Sequence, residues 1–206
     1  MNTSWILEQA KKEAVSFFEK TGPSHDYWHT ERVVSQAVYL AKEENADAFV
    51  CELSAWLHDI ADEKVNESEE KGRRNVQQWL TKHVDDQETE NQVMDIIGTM
   101  SFRNGEQAVM RTLEGQVVQD ADRLDAVGAI GIARTFAHAG EIGETLHRPD
   151  LPGAEKHNTA IGHFYNKLLR LKSLMNTRTA ADIASKRQKF MINYLEQFYS
   201  EWEHKA

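Results

Sequence analysis

Two short stretches of the chain each contain a histidine followed directly by an aspartate. The first pair is His25-Asp26 in SHDYWHTERV, and the second is His58-Asp59 in AWLHDIADEK. An imidazole nitrogen and a carboxylate oxygen are both ligands that a divalent transition metal accepts. A dipeptide is a weak motif when it stands alone, so the surrounding residues must decide which pair, if either, holds a metal.

Two more polar residues stand at the ends of predicted helices. His29 lies in the first turn of one helix, and Asp122 lies where an apolar helix is predicted to begin. Neighbouring helical residues point about 100° apart, so His58 and Asp59 can share one ion only beyond a helix end or beside a distorted turn. The four residues form a mixed nitrogen and oxygen ligand set. Such a set suits manganese, iron, cobalt, nickel or zinc better than calcium.

The elements that must position these residues are predicted to be helices. Apolar residues recur at helical spacing in SWILEQAKKEAVSFFEK and in the segments that begin near Asp26 and near Asp47. One apolar helix is predicted over VVQDADRLDAVGAIGIARTFAHA, and the last helix is predicted to begin after an N-cap at Thr179. No alternating run of β-branched residues indicates a strand. We therefore predict an all-α fold.

The longest irregular stretch is predicted at residues 138–158, HAGEIGETLHRPDLPGAEKHN. A loop of this length in a compact domain often covers a binding site. A flap without fixed structure is the alternative, and the choice between a lid and such a flap stays open.

The composition limits the classes of partner. With 206 residues, 40% hydrophobic and 28% charged, the chain is expected to form one domain over residues 1–206. Its net charge of −9 lacks the basic excess that general binding of nucleic acids needs. The sequence shows no secretory signal and no membrane-spanning run, and the single cysteine, Cys51, excludes an internal disulfide. We expect a cytoplasmic protein that binds neither a membrane nor a nucleic-acid polymer.

The pattern H…HD…D formed by His29, His58-Asp59 and Asp122 resembles that of the HD-domain metal-dependent phosphohydrolase superfamily. The contexts SHDYWHTERV, AWLHDIADEK and DADRLDAVGAIGIARTF match as well. Nearly the whole chain is similar to the compact single-domain bacterial members of the YpgQ and YedJ type. This resemblance implies an all-helical, single-domain HD fold, one divalent metal and hydrolysis of a phosphate ester or anhydride. It also implies that the four residues of the pattern are the metal ligands, and that His25-Asp26 is not the metal pair.

Other residues near the ligands are candidates for the chemistry. Water at an open position of such a metal has its pKa lowered towards roughly 7. Asp62, four residues after His58, is the candidate general base, because in the superfamily a carboxylate three residues after the HD aspartate often has this role. The alternative for Asp62 is a solvated surface residue. Lys64, His25 and Arg123 are predicted to contact phosphate oxygens of the substrate.

The predicted function is metal-dependent hydrolysis of a small phosphorylated molecule, with manganese as the expected metal and a nucleotide as the leading substrate. The favoured reaction converts a nucleoside or deoxynucleoside triphosphate to the monophosphate and pyrophosphate. The alternatives are a nucleoside monophosphate phosphatase, a phosphodiesterase for signalling nucleotides and, in another class, a catalytically idle nucleotide sensor. Monomer and homodimer both stay open.

Overall fold

Helices make up almost all regular structure in the computed structural model, which describes residues 1–18, 27–61, 66–100, 109–150, 153 and 157–205. Within these ranges there are nine α-helices and two 3₁₀ segments, and no strand. The all-α prediction is confirmed. No helix of the described ranges is both long enough and apolar enough to cross a membrane. The chain divides into two compact units, Met1–Ala121 and Asp122–Ala206, and the domain boundaries 1–206 stay a prediction.

The first unit is built around one short, apolar helix. Its elements are α1 (Thr3–Phe18), α2 (Tyr27–Glu44), α3 (Ala48–Leu57), the 3₁₀ turn Asp59–Ala61, α4 (Glu69–His83), α5 (Gln87–Met100) and the larger part of α6 (Leu113–Asp125). Helix α3 packs against α1, α2 and α5, as expected for a helix that is apolar nearly all round. The side chain of Asp47 accepts hydrogen bonds from the amides of Phe49 and Val50, which fixes where α3 begins.

Cys51 lies in the buried part of α3. Burial raises the pKa of its thiol, which suppresses the reactive thiolate. Its surroundings therefore favour the small buried side chain over a nucleophile.

The second unit packs around the last helix. Its elements are the end of α6, α7 (Gly128–Glu141), α8 (Ala160–Asn166), the 3₁₀ segment Leu168–Leu174 and α9 (Arg178–Trp202). Helix α9 packs against α7 and against the 3₁₀ segment. Ile161, Phe164 and Met191 are fully buried here, so the apolar faces of α8 and α9 supply much of this core.

One predicted helix is in fact two. The prediction of a single helix over VVQDADRLDAVGAIGIARTFAHA is wrong, because α6 ends at Asp125 and α7 begins at Gly128. Gly128 has a φ of +83°, a backbone conformation that glycine adopts at little cost and other residues avoid. Asp122 therefore lies in the last turn of α6 and not at the start of an apolar helix.

Two other helix boundaries differ from the predictions. The N-cap of α9 is Thr177, whose hydroxyl accepts a hydrogen bond from the amide of Ala180, and the prediction of Thr179 is wrong. Both positions carry a residue type that caps helices, so residue type alone does not separate them. The irregular stretch predicted at residues 138–158 begins only after α7 ends at Glu141.

Candidate metal centre

Helix α2 places the first histidine of the site. His29 is the third residue of α2 and is only 5% exposed. Val33, one turn later, is fully buried, and side chains four residues apart lie on the same helix face. The face that packs α2 against α3 therefore carries His29 into the interior as well.

The end of α3 places the second histidine and the aspartate. Helix α3 ends at Leu57, His58 keeps α-helical backbone angles, and Asp59 begins the 3₁₀ turn. The Nδ1 atom of His58 lies 2.8 Å from the backbone carbonyl oxygen of Ala55. A carbonyl oxygen only accepts, so Nδ1 is the nitrogen that donates. The last turn of α3 thus orients this imidazole, and Asp59 follows in the kind of altered turn that the pair requires.

The three side chains meet in a buried cluster. The Nε2 atom of His29 lies 3.5 Å from Oδ2 of Asp59, and Nε2 of His58 lies 3.1 Å from Oδ1. The two imidazole rings have centroids 5.8 Å apart and planes inclined at 67°. One nitrogen or oxygen from each of the three residues can be chosen so that all lie within 4.8 Å of one another. In the described part of the chain, no other group of three metal-ligating side chains has this spacing.

The hydrogen-bond pattern of the cluster suits a cation. Because Nδ1 of His58 donates to Ala55, a neutral ring presents a lone pair on Nε2 to the carboxylate oxygen of Asp59. Two acceptors 3.1 Å apart in a buried place repel each other. A proton or a metal ion between them removes that repulsion. Two imidazole nitrogens and a carboxylate are a common ligand set for divalent transition metals, so the residues present fit such an ion.

The predicted fourth ligand and one predicted substrate contact lie at the end of α6. Asp122 is half-buried and is the first residue of the second unit; it is not among the three residues grouped above, and its role as a ligand stays a prediction. Arg123 is buried, and its Nη1 atom donates to the carbonyl oxygen of Leu174 at 2.5 Å. That bond, between two residues of the second unit, occupies one guanidinium nitrogen of Arg123. The predicted contact of Arg123 with phosphate stays a prediction.

Three further predicted residues lie outside the described residues. His25 falls in the range 19–26, and Asp62 and Lys64 fall in the range 62–65. Their roles as phosphate donor, general base and phosphate cation rest on sequence spacing and on the family resemblance, and they stay predictions.

Comparison with known proteins decides the family. The HD domain family matches residues 27–127, a range that contains the three clustered residues and Asp122. The Bacillus subtilis protein YpgQ is 38% identical over 192 residues, which are 92% of this chain and 90% of YpgQ. The chain belongs to the HD domain superfamily. Membership implies a divalent metal, and the His29, His58 and Asp59 cluster is the candidate site for it.

Solved structures of HD-domain proteins match the fold along almost the whole chain. An HD-superfamily hydrolase from Bacillus thuringiensis is 40% identical, with a TM-score of 0.84, and the match covers 98% of this chain and 99% of that protein. The structure of B. subtilis YpgQ in complex with ADP is 38% identical, with a TM-score of 0.80, and the match covers 95% of this chain and 97% of YpgQ. The predicted all-helical HD fold is confirmed.

The sequence pattern assigned no role to two residues that touch the turn carrying Asp59. These are Asn66 and Gly72. A glycine inside the charged helical stretch EEKGRRN is a signal of close packing, because glycine costs about 1 kcal/mol relative to alanine in a helix. Asn66 carries no comparable signal, since a polar residue in a charged run is expected to be solvated.

Proposed function

We propose that this protein is a divalent-metal-dependent phosphohydrolase that acts on small phosphorylated molecules, with nucleotides as the substrate class. The observation that carries the proposal is the buried cluster of His29, His58 and Asp59. The 40% identity to an HD-superfamily hydrolase supports a hydrolytic reaction. The complex of YpgQ with ADP supports a nucleotide as the ligand.

The proposed metal ligands are His29, His58 and Asp59, with Asp122 as the fourth. Manganese is the proposed ion, and iron, cobalt, nickel and zinc are the alternatives that the same ligand set accepts. When bound, a divalent ion polarises a phosphoryl oxygen and lowers the pKa of water to roughly 7.

Side chains around the ion are proposed to orient a ligand, to take the proton of the attacking water and to contact the phosphate. The carbonyl of Ala55 holds the His58 ring so that Nε2 faces the carboxylate of Asp59. Asp62 is proposed to orient the attacking water and to take its proton. His25, Lys64 and Arg123 are proposed to donate to phosphate oxygens, where they would offset the negative charge that develops as the phosphorus–oxygen bond breaks.

The proposed reaction is cleavage of a nucleoside or deoxynucleoside triphosphate to the monophosphate and pyrophosphate, in a cytoplasmic protein. A nucleic-acid polymer is not the proposed substrate, because a polymer needs cations spread along a track and this chain has a net charge of −9. A phosphatase acting on nucleoside monophosphates is the main alternative, and the two reactions release different products.

The test is turnover by the full chain, stripped of metal and then supplied with Mn²⁺. Nucleoside tri-, di- and monophosphates are incubated beside single- and double-stranded DNA and RNA, and products are separated by ion-exchange chromatography. We expect pyrophosphate and a monophosphate, with a rate that changes little between 50 mM and 200 mM salt, whereas polymer binding would weaken by about 10³- to 10⁵-fold. Orthophosphate with a nucleoside would select the phosphatase. Oligonucleotide fragments that form faster than nucleotide products would contradict the proposal, and bound nucleotide without turnover would indicate a sensor.

A further inference from the structure

The 3₁₀ turn that carries Asp59 is held by a side chain outside the metal cluster. The Nδ2 atom of Asn66 donates to the backbone carbonyl oxygen of Ile60 at 2.8 Å. Ile60 follows Asp59 directly, and its own side chain is buried. The hydrogen bond therefore fixes the carbonyl of the residue next to a candidate ligand.

Gly72 brings helix α4 against the same turn. A β-carbon at this position would lie 2.6 Å from the carbonyl oxygen of Ala61 and 2.7 Å from Nδ2 of Asn66. Distances below 3.0 Å are essentially never seen for real β-carbons, so the close approach requires glycine. The backbone of α4 thus touches both the turn and the amide that holds the turn.

Hydrogen bonds fix the start of α4, and they also fix the position of Gly72 against the turn. The hydroxyl of Ser68 accepts a hydrogen bond from the amide of Lys71 at 3.2 Å. The carbonyl of Ser68 accepts a second one from the amide of Gly72 at 3.1 Å. These bonds place Gly72 in the capped first turns of the helix, where side-chain capping stabilises the backbone.

We propose that Asn66 and Gly72 are positioning residues of the candidate metal centre. They hold the 3₁₀ turn Asp59–Ala61 so that His58 and Asp59 keep the arrangement in which both reach one ion. A 3₁₀ turn has poorer hydrogen-bond geometry than an α-helix, while metal ligands must sit within about 0.2 Å of their ideal distances. The turn therefore needs outside support. This inference rests on the proposed metal-dependent function.

A purely structural role makes a different prediction from a positioning role. Residues that merely stabilise the fold change the unfolding temperature and leave the affinity for the metal unchanged in the folded protein. Groups that orient a ligand without touching the ion typically change metal affinity by about 10- to 100-fold. Affinity and unfolding temperature must therefore be measured on the same variants.

Two substitutions at Asn66 test the hydrogen bond. Asn66→Ala removes the donor and adds no atoms, so it introduces no clash. Asn66→Asp keeps the size of the side chain but turns a carboxylate oxygen towards the carbonyl of Ile60. The matched control is Asn75→Ala, which changes an exposed residue of α4.

Gly72→Ala tests the close approach of α4. Its matched control is Gly140→Ala in α7, where an added β-carbon meets no atom within 4 Å. Leu195→Ala, in the core of the second unit, lowers stability without changing a residue of the cluster's own unit and serves as the control for general destabilisation.

The measurement is isothermal titration of the metal-free full chain with Mn²⁺, paired with thermal unfolding followed by circular dichroism. We expect Asn66→Ala and Gly72→Ala to weaken Mn²⁺ binding by roughly 10- to 100-fold, Asn66→Asp to weaken it at least as much, and all three controls to bind like the wild type. Because Asn66→Ala adds no atoms, its affinity for Mn²⁺ tests the positioning role even if Gly72→Ala does not fold.

Two results would overturn the inference, and they differ from failure of the proposed function. The first is an Asn66→Ala affinity for Mn²⁺ that lies within about twofold of the wild-type affinity. That is well short of the loss expected for a ligand-orienting group, and it removes the positioning role alone. A similar loss of affinity in Leu195→Ala would assign the effect to general destabilisation. A wild-type protein that binds neither Mn²⁺ nor any of Fe²⁺, Co²⁺, Ni²⁺ and Zn²⁺ would remove the metal centre itself, and with it the proposed function.

Discussion

At the scale of single residues, His58 and Asp59 point to one place although they are neighbours in the chain. Inside an α-helix their side chains would diverge by about 100°. Here the α-helix ends at Leu57 and Asp59 begins a 3₁₀ turn, while the carbonyl of Ala55 orients the imidazole. His29 adds a second imidazole from another helix. Each of the three clustered residues therefore has a separate structural reason for its orientation.

Replacement of Asp59 by asparagine should remove most of the bound metal. The substitution keeps the size of the side chain and removes the charge that faces both imidazoles. We expect the affinity for the metal to fall by at least the roughly 10-fold loss seen when outer-shell groups are removed. The metal content per chain should fall with it, and the helical circular dichroism spectrum should stay unchanged. Elemental analysis measures the metal, and Asp85→Asn, at an exposed position, is the control. Equal metal in the wild type and in Asp59→Asn would show that the ion binds elsewhere.

Asp62→Asn separates catalysis from metal binding. If Asp62 is the general base, turnover of the best nucleotide should fall by about 10²- to 10⁴-fold, because asparagine cannot accept the proton. Metal content should stay at the wild-type level, since Asp62 is not a proposed ligand. Steady-state kinetics beside elemental analysis measures both quantities. Near-normal turnover would mean that Asp62 is a solvated surface residue.

At the scale of elements, polar caps and one glycine decide where the helices begin and end. Side-chain oxygens of Asp47, Ser68 and Thr177 accept backbone amides at the starts of α3, α4 and α9. Gly128 separates α6 from α7 with its positive φ. These local interactions set the starts of α3, α4 and α9 and the break after α6, whose last turn carries Asp122.

Thr177→Ala should destabilise the protein through α9. The hydroxyl of Thr177 caps the helix by accepting from Ala180, and loss of such a cap costs about 0.5–2 kcal/mol in the free energy of unfolding. Ser185→Ala, at an exposed position inside α9, should change the stability by less than about 0.5 kcal/mol. Urea unfolding of both variants measures the difference. Equal stability of Thr177→Ala and the wild type would argue against this N-cap.

At the scale of the whole molecule, the histidines of the two compact units have different surroundings. The first contains the candidate metal cluster, and the second contains His147 and His163, whose pKa values are lowered by burial. The ring of His147 lies 5.3 Å from that of Trp202 and 5.4 Å from that of Tyr199, measured between centroids. Burial against these rings favours the neutral imidazole of His147, which links the stability of this unit to pH.

The stability of the protein should fall as the pH drops below about 6.5, the ordinary pKa of histidine. The unfolded chain then binds protons that the folded state, with its lowered histidine pKa values, does not bind, so protonation favours unfolding until the folded pKa is also passed. His147→Gln should reduce the loss of unfolding temperature between pH 7.5 and 5.5. His204→Gln, at an exposed position, is the control and should keep the wild-type difference. Identical pH profiles for His147→Gln and the wild type would exclude this linkage.

Much of the fold and part of the candidate site could be predicted from the sequence. Helical spacing of apolar residues is a local property, so it predicted the all-α fold and placed His29 in the first turn of a helix. The divergence of neighbouring helical side chains predicted that His58-Asp59 needs a helix end, and α3 ends at Leu57. Residue type and spacing together brought His29, His58 and Asp59 into one set of candidate ligands.

Only the tertiary structure decided which atoms meet and what holds them. The 3.5 Å separation between His29 and Asp59 depends on how α2 packs against α3, which no spacing within one helix determines. The break at Gly128 and the cap at Thr177 depend on a backbone angle and on one hydrogen bond, where several residues of suitable type compete. The contacts of Asn66 and Gly72 with the 3₁₀ turn join separate elements. Sequence periodicity reports the face that a helix buries, whereas the packing of one element on another determines the geometry of the site.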